Sequence, residues 1–423
     1  MYLTSTFNYT PNDTESIVLS QFGYNAYKLW NIANYQRREW KEDFDIEYPN
    51  WHIQKKELKN NFFYKNLPSQ TAQQVLKTLD EGWKSYFKLL QTGGIKNPHP
   101  PKYKQSDIQF TFVQNGIKVM DDKFTIRFTI PKSVKKYLSE KYNLKINYLY
   151  LKAEYFKKFS NIKQIRFLKL KNGDYRIAVV HEVKTKPVVP DNGRYLFIDF
   201  GIKNLISAYD NGNDISFIAG RRYLSIERYY QKEISYYQSI NSKQQIQKGI
   251  KYPKPSKRID ALYVKKNNSI NDYLHKVTRY ITNYCIKNNV SKVIVGDISH
   301  IRDSKEYRTD ACNQQLHGWP FAKLTSMLEY KLKLEGISLI KVRESYSSQC
   351  SPYSIEVSKK YAVKENRKQR GLYKDTNNSI YNADIVGAYN IGRLAYQKKL
   401  IEQAPTEISK NALSRPSVIK VAV

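Results

Sequence analysis

Cysteine is scarce in this sequence: its 423 residues contain only Cys285, Cys312 and Cys350. Three scattered thiols are too few for a disulfide framework, which excludes a small secreted scaffold held together by disulfides. This cysteine usage is typical of a reducing compartment. We therefore expect a cytoplasmic protein.

Long apolar runs are also missing. No stretch reaches the roughly 18 apolar residues of a membrane-spanning helix, and the N-terminal residues lack a signal-peptide pattern. A glycine-rich phosphate loop of the nucleotide-hydrolase type is absent as well. The sequence predicts neither a membrane span nor a P-loop enzyme.

Acidic residues are outnumbered along the whole chain. The 71 Lys and Arg exceed the 38 Asp and Glu, which gives a formal net charge of +33. Such an excess repels itself unless a polyanion neutralises it. Many of the 36 tyrosines stand beside cations, as in "RRYLSIERYYQKEISYYQ" at 221–238, and this mixture suits contacts with phosphates and bases. We expect nucleic acid to be the partner.

The first half of the chain combines helices with short strands. A strand is predicted at 2–9, then a helix with an apolar stripe at 19–33, then a helix that begins with a capping box of Thr71 and Gln74. After a loop rich in glycine and proline at 91–105, short alternating segments follow one another. We interpret them as a β-barrel with the helical pair inserted after its first strand.

From Tyr195 onward, strands alternate with long helices. "YLFIDFGIKNLISAYD" predicts two strands joined tightly at Gly201, a third strand follows, and a basic helical stretch occupies 221–290. The strand from 293, the next helix and the strand "ISLIKV" then form a parallel pair. This order predicts a ribonuclease-H-like α/β sheet.

Two acids in this second half are candidates for metal binding. Asp199 lies in an apolar strand between Ile198 and Phe200, where a carboxylate must be paired, protonated or bound to metal. Asp384 shares a helix face with Gly387, and small residues let a helix approach a sheet closely. Two Mg²⁺ ions held by such carboxylates support phosphodiester hydrolysis. A structural salt bridge is the alternative for Asp199.

The segments around these acids resemble a known family. "FIDFGIKNL" resembles the first RuvC motif, and "NADIVGAYNIGR" the third, of the TnpB family of transposon-associated RNA-guided endonucleases, kin of the miniature type V CRISPR effectors. "PPKYK", "GDISHIR", "NQQLHGWPF" and "SYSSQC" also occur in the family's order. The resemblance covers roughly residues 1–395.

The resemblance implies a wedge β-barrel that carries a helical recognition insertion, followed by a RuvC nuclease domain. It implies a guide RNA, target DNA read by pairing with that guide and a short flanking DNA motif. The chemistry of hydrolysis predicts two Mg²⁺ ions. The sequence leaves the oligomeric state open, with a monomer favoured. The first half divides into the first barrel strand at 1–15, the helical insertion at 16–98 and the rest of the barrel at 99–192. The second half divides into the nuclease domain at 193–344, a degenerate zinc-ribbon-like target-binding insertion at 345–381 and the closing helix at 382–395. The tail at 396–423 lacks a clear pattern and is expected to be disordered.

The second motif departs from the family, which commonly has a glutamate where this chain has Gly296, followed by the acid seen here as Asp297. Three interpretations are open: Asp297 substitutes for that glutamate, another acid has replaced it, or the nuclease is inactive. Neighbouring parallel strands end about 4.8 Å apart, so Glu344 can reach the vacant place. Branches of the family with a relocated glutamate resemble this sequence in carrying "GD" here. We predict Asp199, Glu344 and Asp384 as catalytic metal ligands and Asp297 as an auxiliary acid, with a surface salt bridge as the alternative for Glu344.

The segment after Ser348 departs further. A zinc ribbon usually needs two cysteine pairs, but Cys350 stands alone with Tyr353 at the place of the second thiol, and zinc is not expected. The segment keeps basic side chains that we predict to bind nucleic acid, with a solvated basic loop as the alternative; they are Lys359, Lys360, Lys364, Arg367, Lys368 and Arg370.

These observations predict a guide-RNA-dependent, Mg²⁺-dependent DNA endonuclease. A nuclease-inactive relative that binds guide and DNA as a repressor is one alternative, and a basic RNA-binding protein without a DNA target is another. Retention of Asp199 and Asp384 argues against an inactive site, which has no chemical reason to keep two costly acids. His317 and Trp319 are predicted to form a cap and part of the core rather than to act as a general base and a stacking ring.

Overall fold

The structure is a computed structural model that describes residues 1–40, 47–93, 95, 97–106, 108–170, 172–297, 318–367 and 371–421. The chain divides into two compact units, Met1–Lys184 and Thr185–Val423. Helices and strands alternate in both units, so the protein is of mixed α/β type. None of the helices in the described ranges offers an apolar stretch of the length that a bilayer requires.

The strands of the first unit form two sheets. They are β1 (Tyr2–Tyr9), β2 (Phe110–Val113), β3 (Ile117–Val119), β4 (Thr125–Thr129), β5 (Tyr148–Lys152), β6 (Ile162–Lys169) and β7 (Tyr175–Glu182). One sheet has the order β1-β7-β6-β2 and the other β3-β4-β5, and all neighbours are antiparallel. Closure of these strands into one barrel stays a prediction.

The helices of the first unit include the two long ones that the apolar stripes predict. They are α1 (Asp13–Glu39), α2 (Trp51–Glu57), α3 (Phe62–Lys65), α4 (Ser69–Thr92) and α5 (Lys132–Tyr142). The core between helices and sheets is rich in aromatic rings, because Phe22 of α1 packs against Phe110 and Phe112 of β2. This packing fixes α1 on the larger sheet.

The predicted capping box of Thr71 and Gln74 is wrong. The helix α4 begins at Ser69 after Pro68, and no side chain caps it. Proline has a fixed φ and lacks an N–H, so it suits a helix start and moves that start upstream of the predicted one. Thr71 is therefore buried within the first turn.

The second unit is built on a six-stranded sheet. Its strands are β8 (Tyr195–Asp199), β9 (Ile206–Asp210), β10 (Ile215–Ala219), β11 (Lys292–Asp297), β12 (Ser338–Arg343) and β15 (Ser417–Ile419), and a separate hairpin consists of β13 (Leu372–Lys374) and β14 (Ile380–Asn382). The sheet order is β12-β11-β8-β9-β10-β15. The strands β8, β9 and β10 are antiparallel, whereas β11 is parallel to β8 and β12. Three antiparallel strands followed by two parallel ones are the order that the sequence predicts.

Helices flank this sheet. They are α6 (Arg222–Gln247), α7 (Lys257–Lys287), α8 (Phe321–Leu334), α9 (Ala383–Gln397) and α10 (Lys410–Ser414). The basic stretch at 221–290 thus forms two helices with a proline-containing connection, as its composition indicates. Trp319 is 1% exposed and packs near Phe200 and Tyr223, which agrees with its predicted core role. His317 lies outside the described residues.

The prediction of a disordered tail after residue 396 is wrong for its described part. The strand β15 pairs in parallel with β10, and Ile408 and Leu413 are buried. The segment lacks a periodic pattern because its apolar residues fill separate places in the core instead of one face of a long element.

Candidate active site

The acidic residues lie at one edge of the six-stranded sheet, which is formed by the C-terminal ends of β8, β11 and β12. In the parallel pair of β11 and β12, Gly296 stands opposite Val342, and Glu344 comes directly after the last residue of β12. In the parallel pair of β11 and β8, Val295 stands opposite Ile198. The next residues along these strands are Gly296 and Asp199, so Asp199 ends its strand beside the glycine.

The carboxylate of Glu344 occupies the space above Gly296. A Cβ atom on Gly296 would collide with Glu344 Oε2 and would lie 3.1 Å from Ile391 Cδ1 of α9. Only glycine leaves this space to the carboxylate. The glycine at position 296 is therefore what allows the Glu344 carboxylate to lie over β11.

Close packing of α9 brings the third acid to the same edge. A Cβ atom on Gly387 of this helix would lie 2.8 Å from Asp199 Oδ2, and one on Gly392 would collide with the ring of Phe197. Small residues on α9 thus let its backbone approach β8. Asp384 stands in the first turn of this helix, whose N-terminus is capped by the side chain of Asn382.

A hydrogen-bonded pair of side chains holds Asp384. Asn204 Nδ2 donates to Asp384 Oδ2 at 2.8 Å, and Arg221 Nε donates to Asn204 Oδ1 at 3.1 Å. Arg367 Nη2 lies 3.9 Å from Asp384 Oδ1. Sequence reasoning missed Asn204 and Arg221, although Asn204 falls within "FIDFGIKNL", three residues after Gly201. Without the fold, nothing in the sequence indicates that this amide contacts Asp384.

The electrostatics of this edge are those of carboxylates crowded together. Burial raises the pKa of Asp199 well above its ordinary value, and the charges of Glu344 and Asp384 raise it further. Burial, and after it the charge of Asp297, raises the pKa of Glu344 to about 7. Asp297, the predicted auxiliary acid, thus acts on Glu344 through its charge. Burial and neighbouring negative charges make ionisation of these carboxyl groups unfavourable, and a bound cation would offset that cost.

The donors at this edge fit a hard divalent cation. Glu344 Oε2 is buried and has no hydrogen-bond partner among the described residues, and the other donors are carboxylate oxygens, which Mg²⁺ prefers. In the part of the chain that the structure describes, no three His, Cys, Asp or Glu side chains are already closed around one point. Glu344 and Asp384 are each close enough to Asp199 for their charges to raise its pKa, but these acids do not form a preformed metal site in the described residues.

The basic side chains predicted to bind nucleic acid are exposed where the structure describes them. Lys359, Lys360, Lys364 and Arg367 face solvent, and Arg367 is the one of these four that pairs with Asp384. The predictions for Lys368 and Arg370 fall outside the described residues. Arg367, the exposed cation beside Asp384, can attract a phosphate towards this edge.

Protein contacts anchor the segment after Ser348 to α9. Asn390 Nδ2 donates to the backbone carbonyls of Ser347 and Cys350 at 2.8 and 2.9 Å. Cys350 is fully buried, and its thiol donates to the carbonyl of Ser358. Tyr353 OH donates to the carbonyl of Ile408. A buried thiol with a backbone acceptor is a core side chain rather than an open metal ligand.

Comparisons with known proteins show which families and folds this chain is similar to. Residues 178–302 match the family OrfB_IS605, described as a probable transposase, and residues 321–391 match the Cas12f1-like TNB domain. A TnpB-like protein of Methanocaldococcus jannaschii is 26% identical over 234 residues, which cover 52% of this chain and 79% of that protein. The cryo-EM structure of a Cas12f1–sgRNA–target DNA complex has a similar fold, with a TM-score of 0.58 and 16% identity over 90% of this chain and 83% of that one.

Proposed function

The chain belongs to the TnpB family, and on this ground we propose that it is an RNA-guided endonuclease that cuts DNA paired to its guide RNA. In this proposal the six-stranded sheet is a RuvC-like nuclease domain of the branch with a relocated glutamate. The first unit is a wedge barrel with a helical recognition insertion that reads a short flanking DNA motif. The protein acts in the cytoplasm as a monomer, and the segment at 345–381 is its target-binding insertion.

The observation that carries the proposal is the placement of Glu344 above Gly296. A nuclease that had lost its second acid would keep an empty place or an apolar side chain at this position. Here the Glu344 carboxylate fills it, close enough to Asp199 for its charge to raise the pKa of Asp199. A buried, unpaired carboxylate oxygen costs free energy, and cation binding is the chemistry that recovers that cost.

Asp199, Glu344 and Asp384 are the proposed ligands of two Mg²⁺ ions, and Asp297, at the end of β11, is the proposed auxiliary acid, whose charge acts on Glu344. Bound there, the ions would supply an activated water and neutralise the charge that develops on the phosphate. Asn204 and Arg221 keep the Asp384 carboxylate in one orientation. Arg367, at 3.9 Å from Asp384, is placed to contact a phosphate brought to the acids.

The charge of the whole chain supports a polyanionic substrate and guide. A net charge of +33 exceeds what solubility requires, and it supplies the sequence-independent part of nucleic-acid binding. Pairing between guide and target would then carry the sequence specificity, while the protein binds backbone and shape. The Cas12f1 structure to which this fold is similar is a complex with guide RNA and target DNA, which supports the same partners here.

The test is cleavage of a DNA target by the full chain copurified with RNA from its native locus. The RNA is sequenced, a matching duplex with randomised flanks is offered, and cleavage is measured with Mg²⁺ and with EDTA. We expect cleavage that requires Mg²⁺ and is lost in Asp199→Asn and Asp384→Asn. The control Asp272→Asn changes an acid of α7 whose side chain is 58% exposed and that pairs with Lys276, and it should cut normally.

Two outcomes would contradict the proposal. Guided DNA binding without cleavage in Mg²⁺ would make the protein a nuclease-inactive repressor. Tight RNA binding without guided DNA binding would make it an RNA-binding protein with no DNA target.

A further inference from the structure

The first unit contains a cavity that the proposed nuclease chemistry does not use. Its volume is about 700 Å³, and it lies between α1, α3 and α5. Cavities of this size hold ligands of nucleotide or drug size. Every residue that lines it belongs to Met1–Lys184, so it is separate from the acids of the second unit.

Three aromatic rings line this cavity and remain open to solvent. Phe62 is 67% exposed, Tyr24 is 40% exposed and Tyr137 is 36% exposed. A void of the core would be closed and apolar, whereas these rings border an open space that also has polar walls. Exposed rings around an open cavity offer stacking surfaces to a flat ligand.

Two buried amides form part of the polar wall. Asn25 is 2% exposed and Asn66 is 7% exposed. Asn25 Nδ2 donates to the carbonyl of Gln21, and Asn66 Nδ2 donates to Asn25 Oδ1 at 3.5 Å. Among the described residues the Asn66 side chain makes no further hydrogen bond, so one N–H and its carbonyl oxygen remain available. A donor beside an acceptor matches the edge of a nucleobase.

Ammonium groups belong to the lining or contact side chains of it. Lys141 Nζ donates to Tyr137 OH at 2.9 Å, Lys28 Nζ lies 5.6 Å from the centre of the Tyr24 ring, and Lys169 Nζ donates to Ser20 Oγ at 3.0 Å. The fourth, Lys136, pairs at 3.8 Å with Glu140, the one carboxylate in the lining. Lys136 and Lys141 outnumber Glu140 in the lining, and this excess of positive charge suits a phosphate.

We propose that this cavity binds one unpaired nucleotide of a nucleic acid. The base stacks against Phe62, Tyr24 or Tyr137, the free amide of Asn66 contacts its edge, and the phosphate lies by Lys141. The same chemistry serves a base from an RNA or from a DNA strand. The site does not depend on the nuclease acids, so it is expected to be unchanged in Asp199→Asn.

The first experiment separates base recognition from phosphate attraction. The full chain, freed of nucleic acid at high salt, is titrated with AMP, CMP, GMP, UMP and ribose 5-phosphate while saturation-transfer NMR records ligand protons. We expect at least one nucleotide to bind tenfold more tightly than ribose 5-phosphate, with the strongest saturation at its base protons. Equal affinity of the sugar phosphate and all nucleotides would overturn the proposal.

A pair of variants places that binding in the cavity. Phe62→Ala removes an exposed ring of the lining and should weaken nucleotide binding at least fivefold without a change in melting temperature. Tyr150→Ala removes a ring that is 47% exposed on β5 and does not line the cavity, and it should bind as the wild type does. Equal affinities of Phe62→Ala and the wild type would contradict the site.

Photo-crosslinking then identifies the source of the nucleotide. The complex is assembled once with guide RNA containing 5-iodouridine and once with target DNA containing 5-iododeoxyuridine. Crosslinks to Tyr24, Phe62 or Tyr137 from the RNA assign the site to the guide, and those from the DNA assign it to the target. No crosslink to these three rings from either strand would overturn the proposal.

Discussion

The carboxylate of Glu344 fills the space that a side chain at Gly296 would occupy. A Cβ atom at residue 296 would collide with Glu344 Oε2. The two positions are 48 residues apart in the sequence, but Gly296 pairs with Val342 of β12 and Glu344 directly follows that strand. In the function proposed above, Glu344 supplies from the end of β12 the carboxylate that the second motif lacks at Gly296.

Gly296→Ala should therefore abolish most DNA cleavage although it removes none of the acidic residues. The added methyl group displaces the Glu344 carboxylate, and displacement by even 1 Å at a catalytic group costs about 100-fold in rate. Single-turnover cleavage of a guided target measures the effect. The control is Gly318→Ala, whose methyl group would lie 3.7 Å from Glu227 Oε1, the nearest atom of the described residues, and its rate should match the wild type. Equal rates for the two variants would contradict the arrangement.

Asn204→Ala should lower cleavage about 10-fold or more, because Asp384 loses the amide that orients it. A positioning role predicts that higher Mg²⁺ concentrations recover part of the rate, whereas guided DNA binding stays unchanged. Cleavage is measured across a Mg²⁺ titration. Asn267→Ala, at an exposed position of α7, should leave the titration curve unchanged. A loss of DNA binding in Asn204→Ala would point to a different role.

Asn390→Ala should destabilise the second unit by about 2–4 kcal/mol, because the carbonyls of Ser347 and Cys350 lose their buried donor. Hydrogen exchange should become faster in residues 347–354, and the melting temperature should fall. A chelator of zinc should change neither quantity in the wild type, since protein contacts hold this segment. A melting temperature that falls on chelation would show that a metal contributes to the fold.

Lys331→Met should stabilise the protein at neutral pH by about 1–2 kcal/mol. Lys331 is 2% exposed, and burial lowers its pKa to about 8, with a further contribution from the charge of Arg279. The unfolded chain thus holds more protons on this group than the folded one between pH 8 and its ordinary pKa near 10.5. The free energy of unfolding contributed by Lys331 rises with pH across that window.

Urea unfolding of wild type and Lys331→Met at pH 7, 8, 9 and 10 tests this sign. The difference in stability between the two proteins should be largest at pH 7 and should shrink towards pH 10. A difference that grows with pH would mean that the ammonium stabilises the fold through its bonds to the His275 carbonyl and Thr278.

The sequence predicts the second sheet well because its signals are local. Apolar strands such as Tyr195–Asp199 and Lys292–Asp297 stand out from the basic helices around them. Parallel pairing then follows from the helical crossover, and pairing alone suggests that Glu344 is near Gly296. The packing of α9 against Asp199 also follows from the sequence, because a glycine at position 387 lets the helix approach the sheet closely.

Other features depend on contacts that no local pattern encodes. The strand Ser417–Ile419 exists because β10 offers it an edge, and a segment of three residues has no periodicity to detect. The role of Asn204 depends on the position of Asp384, 180 residues away. Asp210 shows the reverse case, because it too ends a buried strand, yet Gly212, Asn213 and Tyr284 satisfy its carboxylate with hydrogen bonds. Sequence alone does not separate such a structural acid from Asp199.

The most direct test of the account is the cleavage rate of Glu344→Gln with its bound guide RNA in Mg²⁺. Glutamine keeps the size of the side chain and removes its charge, so we expect cleavage to fall at least 100-fold while guided DNA binding is retained. Glu329→Gln, at an acid whose side chain is 53% exposed on α8, is the control and should cut at the wild-type rate. Wild-type cleavage by Glu344→Gln would contradict the central claim that this carboxylate replaces the one missing at Gly296.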